Sequence, residues 1–115
     1  MRVVLKLLVK LSKDLELVCE ANNGQEALDC VNRLQPEVLV MDIQMPVLDG
    51  FTATKQIIGL GVRTQVILIS GSRGNFIVRQ AADAGAKGFV PKDELATSLR
   101  PAIAAVHRGE TFFVE

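Results

Sequence analysis

The sequence predicts an α/β fold built on a doubly wound parallel sheet, and three observations predict it. Val38-Leu39-Val40-Met41 and Val66-Ile67-Leu68-Ile69 are uninterrupted apolar runs of strand length, the pattern of strands buried on both faces. Each run ends in a polar residue and a bend, Asp42 in one case and Ser70-Gly71 in the other. Stretches with apolar residues at helical spacing alternate with these runs, which is how βα units are written in sequence.

Taken in order, residues 1–11 are ambiguous. Val4, Leu7, Leu8 and Leu11 share a helical face, while Val3, Leu5, Leu7, Val9 and Leu11 alternate like a strand. A helix is preferred, because it gathers Lys6, Lys10 and Lys13 on the opposite side. Residues 15–21 read as a strand near the sheet edge, with Glu16 and Glu20 interspersed. Asn22-Asn23-Gly24 is a turn that caps a helix over 25–34, whose inner face carries Ala27, Leu28, Val31 and Leu34. Gln35-Pro36 ends it.

After the strand at Val38, a helix over 52–60 turns Ile57 and Leu60 inward and stops at Gly59 and Gly61. The Val66 strand follows. Asn75 is expected to cap a helix over 76–84 that Gly85 terminates. Residues 87–90 form a brief strand before Pro91-Lys92-Asp93. The last helix is placed at 99–108, so that Pro101 falls in its first turn with Thr97 or Ser98 as cap. An apolar tail, 112–114, remains.

The chain has 115 residues, the size of one domain, with 49% hydrophobic residues and 4% aromatic. Such a core is made of Val, Leu, Ile and Ala. Lys plus Arg and Asp plus Glu balance at 13 each, so no bulk charge draws the chain to nucleic acid. Two cysteines, Cys19 and Cys30, are too few for a disulfide framework and read as buried reduced thiols. The apolar start is interrupted by Lys6 and Lys10 and lacks a cleavage signal. No run reaches the ~18–20 apolar residues of a membrane helix. A soluble cytoplasmic protein is expected.

Asp42, Ser70 and Lys92 follow three predicted strands. Parallel strands bring their carboxyl ends to one edge, where open α/β sheets hold ligands. A carboxylate, a hydroxyl and an ammonium suit phosphoryl transfer: Asp42 as nucleophile, Ser70 as a hydrogen-bond donor to a phosphoryl oxygen, Lys92 as a point cation. Taken singly, each has a plainer reading as a cap, a turn residue or a solvated charge, and Phe89 as core. Asp49 reads as a loop or capping acid. His107, the only histidine, sits near a helix end and reads as a surface group without metal partners.

Asp42-Ile43-Gln44-Met45-Pro46-Val47-Leu48-Asp49-Gly50 resembles the phosphorylation loop of bacterial response-regulator receiver domains. Ser70 and Lys92 stand where receivers place a Ser or Thr and a lysine, and Phe89 where they place a switching aromatic. The stretch Ala84-Gly85-Ala86-Lys87-Gly88-Phe89-Val90 resembles the LuxR/NarL-type subfamily. The resemblance implies a flavodoxin-like receiver fold with strand order 2-1-3-4-5. It implies a phosphoryl group accepted on Asp42 from a histidine kinase, and a Mg²⁺ ion held in part by Asp42 and the backbone carbonyl of Gln44. It also implies an effector domain or partner protein that reads the face of the last two helices.

The resemblance also implies a central first strand ending in a pair of acids. No acidic residue precedes Asp14, and Met1 aligns inside the receiver's first helix. The expectation is a single receiver-like domain, incomplete at its N-terminus, or a start codon assigned too late. The vacant strand position is filled by the Leu15 strand, by the Met1 segment, or by another chain in a homodimer or strand-swapped oligomer. Magnesium takes about six oxygen ligands, and losing two of them would slow transfer on the order of 10²-fold. LuxR/NarL-type regulators usually continue into a DNA-binding domain. Either this chain is a stand-alone receiver or an effector domain has been cut off; without a basic patch, direct nucleic-acid binding is not expected, and without a long apolar run neither is membrane association.

Two other functions compete with a phosphoacceptor module. One is a phosphorylation-independent pseudo-receiver that uses the same face without binding Mg²⁺ normally. The other is a haloacid-dehalogenase-type phosphatase, the one enzyme reading, which needs an acid where Gln44 stands.

Overall fold

The structure, a computed structural model, describes residues 7–11, 14–16, 24–44 and 49–115. Among the described residues, six strands form one sheet in the order β2-β1-β3-β4-β5-β6. In chain order the elements are β1 (Leu7–Leu11), β2 (Asp14–Glu16), α1 (Gly24–Leu34), β3 (Val38–Asp42), α2 (Gly50–Gly59) and β4 (Gln65–Ser70). Then come α3 (Asn75–Ala84), β5 (Gly88–Pro91), a 3₁₀ turn (Lys92–Glu94), α4 (Leu95–His107) and β6 (Phe112–Phe113).

β3, β4, β5 and β6 run parallel, each beside its sequence neighbour. The continuous apolar runs are explained by what lies on either side. Leu39, Met41, Val66, Leu68 and Phe89 face a cluster with Ala27, Val31, Ala53, Ile57 and Ala81 from the first three helices. Val38, Val40, Ile67, Ile69 and Val90 face Ala102, Ile103 and Val106 of α4. Alternate residues of one strand thus enter two different cores, so the positions between the strand ends are apolar. This is the flavodoxin-like doubly wound arrangement the sequence predicts.

The N-terminal strands depart from it. Leu7–Leu11 is a strand, not part of a helix, and it pairs antiparallel with β3, setting Leu7 opposite Met41 and Lys10 opposite Val38. β2 pairs antiparallel with β1 at the edge. The backbone of β3 needs a partner on that side, and this demand outweighs the clustering of lysines that favoured a helix. The position beside β3 is held by Leu7–Leu11. The edge strand is Asp14–Glu16; the rest of the expected strand, 17–21, and the turn at Asn22-Asn23 lie outside the described residues.

Other expectations are corrected more locally. Leu34 and Leu60 are exposed, not inward; each sits at a helix end, past the last turn that the sheet covers. α2 begins at Gly50, with Asp49 as its cap. α3 begins at Asn75, and Gly74 is the residue before it, so Asn75 is not the cap. Gly85 ends α3 in the left-handed region (φ +105°), which glycine enters without strain.

α4 starts four residues earlier than expected and contains Pro101 in its interior. Leu95, Leu99, Ala102, Ile103 and Val106 form one apolar stripe against the sheet. Burying that stripe outweighs the one hydrogen bond the exposed proline cannot make. The tail contributes a short sixth strand. Cys30 is buried, but it is disulfide-bonded and not a free thiol. Cys19 lies outside the described residues. No helix among the described residues is long and apolar enough to cross a membrane.

Candidate functional site

Asp42 is the last residue of β3, and in register it lies beside Ile69 of β4. Ser70 is one residue further along β4 and lies beside Pro91 of β5. Lys92 follows Pro91 directly. The parallel register therefore lines up the carboxylate, the hydroxyl and the ammonium along one edge of the sheet, each a step beyond the last.

The Asp42 side chain is 3% exposed, and its Oδ2 lies 2.5 Å from Nζ of Lys92, whose side chain is 39% exposed. The other oxygen, Oδ1, accepts the backbone N–H of Gln44 at 2.9 Å. Burying a carboxylate is costly unless it is paired and hydrogen-bonded, and here both oxygens are engaged. The Ser70 side chain is buried, and its Oγ accepts the N–H of Ser72 at 3.0 Å. Both strand ends thus fold a polar side chain back onto the N–H two residues on, the local turn that Asp and Ser favour.

Glycine 50 has a specific role beside the acid. Its N–H donates to the carbonyl of Ile43 at 2.8 Å, closing the loop that follows Asp42. A Cβ there would come within 2.7 Å of both the Asp42 carbonyl oxygen and Ile43 Cα. Backbone approaches backbone so closely that only glycine fits. Asp49 accepts the N–H of Thr52 at 2.9 Å and its hydroxyl at 3.2 Å; it caps α2, as its position suggested. Residues 45–48 of the same loop lie outside the described residues.

Phe89 is fully buried in the cluster that includes Met41 and Leu68. The ring of this expected switch residue is therefore inside the core before any modification. His107, at the end of α4, lies far along the chain from the site and places Nε2 3.1 Å from Oε2 of Glu37, which precedes β3. It belongs to the opposite edge of the sheet, beside a cavity of about 350 Å³ that Arg63 and Gln65 also line.

Sequence reasoning did not single out Arg73. It extends from the loop after Ser70 and donates to both carboxylate oxygens of Asp93 (3.3 and 3.2 Å) and to Glu94 (2.6 Å), the residues immediately after Lys92. Hydrogen bonding to Glu94 pushes the guanidinium's already high pKa further up. The only local hint was an acid pair beside Lys92; an arginine about twenty positions upstream carries no periodic or motif signal.

The donor set for Mg²⁺ is incomplete among the described residues. No three of His, Cys, Asp and Glu lie close enough together there to hold a metal ion. Asp42 itself is already matched by an ammonium and an N–H.

A doubly wound, mainly parallel sheet with a buried acid at the end of one strand, ion-paired to a lysine after another, is a flavodoxin-like α/β fold with its polar groups gathered at the strand ends. Residues 1–104 match the response regulator receiver domain, and the chain belongs to that family. It is 32% identical over 102 residues to the transcriptional regulatory protein LnrK of Bacillus subtilis, covering 89% of this chain and 46% of that protein. It is 41% identical over 95 residues to a protein-glutamate methylesterase/protein-glutamine glutaminase of Saccharophagus degradans, covering 80% of this chain and 26% of the other.

Among solved structures, the signal receiver domain of the putative response regulator NarL from Mycobacterium tuberculosis superposes with a TM-score of 0.78. Identity is 33%, over 83% of this chain and 77% of that one. A LuxR-family two-component response regulator from Aurantimonas superposes with a TM-score of 0.79 at 28% identity, over 84% and 69%. These relatives mark the chain as a LuxR/NarL-type receiver. The chain spans about half the length or less of both curated relatives, at 46% and 26%.

Proposed function

We propose that this chain is the phosphoacceptor module of a two-component system, taking a phosphoryl group on Asp42 from a histidine kinase. The observation that carries the reading is the buried Asp42 carboxylate held against Lys92, with Ser70 on the neighbouring strand end. In the transfer, a carboxylate oxygen of Asp42 forms the new P–O bond while the P–N bond to the kinase histidine breaks. The imidazole leaves with the electron pair and regains its proton from solvent. Lys92 offsets the charge that accumulates on the phosphoryl oxygens, and Ser70 turns its hydroxyl from accepting to donating.

Asp42 and the Gln44 carbonyl are the donors this reading assigns to a divalent ion, and a transfer that relies on those two alone is slow and depends weakly on Mg²⁺. The same observation favours a second reading, a pseudo-receiver whose Lys92–Asp42 pair is its resting and only state. The face of α3, β5 and α4 would meet the effector domain or partner protein, and Phe76, 78% exposed on α3, belongs to it. The setting is cytoplasmic, and the module itself performs no enzymatic turnover.

The test is intact mass after incubation with acetyl phosphate, with Mg²⁺ or with a chelator. A gain of one phosphoryl group, absent in Asp42→Asn and changed by chelation less than about threefold, supports the first reading. No gain under any condition, with the partner still bound equally by wild type and Asp42→Asn, supports the second.

A further inference from the structure

The tail and the two loops of the site are joined by one side chain. Besides Asp93 and Glu94, Arg73 donates from NH2 to the backbone carbonyl of Glu115 at 2.7 Å. Two residues on, the Asn75 amide lies against the Glu115 side-chain carboxylate, and turned so that its nitrogen faces that acid it donates to both oxygens at 2.7 Å. The tail reaches this point by running along the sheet edge. Phe112 N–H donates to the Lys87 carbonyl and Val114 N–H to the Phe89 carbonyl, both at 3.0 Å.

β6 is an unusual addition to the sheet. The connections from β3 to β4, β4 to β5 and β5 to β6 all step the same way. α2 and α3 lie on one face, but α4 lies on the other. The last connection therefore has the opposite hand to the two before it, and right-handed connections are strongly the rule. With two residues, the strand makes few backbone bonds, while its half-buried Phe112 and Phe113 pack against the two cores. What holds it in place includes the grip on its far end.

The geometry points to a strap: the tail, latched by Arg73, ties the loop after Ser70 to the loop after Lys92. The first loop follows Ser70 at the end of β4, and the second begins at Lys92, the residue paired with Asp42. An exposed ion pair alone contributes little. Here, however, one guanidinium, itself on the loop after Ser70, bonds two adjacent carboxylates of the turn after Lys92 and the Glu115 carbonyl, so three segments meet at it and loosening any of them loosens the others. Coupling of this kind is reciprocal: unlatching the tail frees the site loops, and moving the site loops frees the tail. The strap goes beyond phosphoacceptance and does not require it.

Amide hydrogen exchange on the unmodified full chain tests it, with two variants that attack opposite ends. Arg73→Gln removes the latch, and Val114→Pro removes the tail's N–H bond to Phe89. The strap predicts that either change speeds exchange at 71–73, 92–94 and 112–115 together, by several-fold to about tenfold, while the amides of β3 and β4 stay protected. Arg73→Lys, which keeps a charge but not the three-way fork, falls between. If Val114→Pro loosens only the tail, or Arg73→Gln leaves the tail as protected as before, the strap is wrong. Mass gain at Asp42 in the same samples reports separately on phosphoacceptance, so failure of one is not mistaken for failure of the other.

Discussion

At the scale of single residues, the contact between Lys92 and Asp42 decides how the site behaves under mutation. Removing Lys92 leaves a carboxylate with a 3% exposed side chain facing no cation, the situation that costs most when one partner of a buried pair is lost. Lys92 is more than a third exposed, so solvent recovers part of that cost. Lys92→Met should lower stability by about 1–2 kcal/mol in urea denaturation, and Asp42→Asn added to it should restore most of the loss. Equal destabilisation in the single and double variants would mean the pair contributes nothing. Gly50→Ala places a methyl 2.7 Å from the backbone of Asp42 and Ile43. It should cost about 1–3 kcal/mol by overpacking, and the Asp42 amide should shift in an NMR spectrum. A Gly50→Ala protein as stable as wild type would contradict the close approach.

At the scale of elements, two terminations carry testable energies. Asp49→Ala removes the α2 cap and should lower the urea midpoint by the equivalent of about 1 kcal/mol. In the turn before β6, Arg108 holds the Glu110 carboxyl below its usual range, first through a side-chain hydrogen bond and then through charge. The folded value is depressed, so this contribution is present above the unfolded carboxylate's pKa and fades as pH falls through the folded value. Arg108→Gln should move the Glu110 midpoint up toward 4.5, the ordinary value, in an NMR titration; an unmoved midpoint would remove Arg108 as the cause. The elements also show where a sequence is readable. β3 and β4 were legible because burial on both faces demands an unbroken apolar run. Leu7–Leu11 was not, because its residues satisfy a two-residue and a helical period equally, and only the need of β3 for a partner chooses between them. The start of α4 is hidden because Pro101 suits a first turn, whereas the stripe from Leu95 to Val106 tolerates it in the helix interior. β6 is too short to have any period.

At the scale of the whole molecule, one edge of the sheet does the chemistry because parallel register delivers three chain-distant side chains there, and that much was legible from strand ends alone. The loop-to-loop reach of Arg73 was not, since long-range ion pairs leave no mark on local spacing. Family membership rests on the receiver match over residues 1–104; the role of Asp42 rests on its geometry. Reducing the acetyl-phosphate-treated protein with borohydride and mapping its peptides asks about that role directly. An acyl phosphate on Asp42 is converted to homoserine at that position, and the account predicts homoserine at 42 and nowhere else. Treated protein that gains a phosphoryl group yet yields homoserine at another acid, or none at 42, would contradict it.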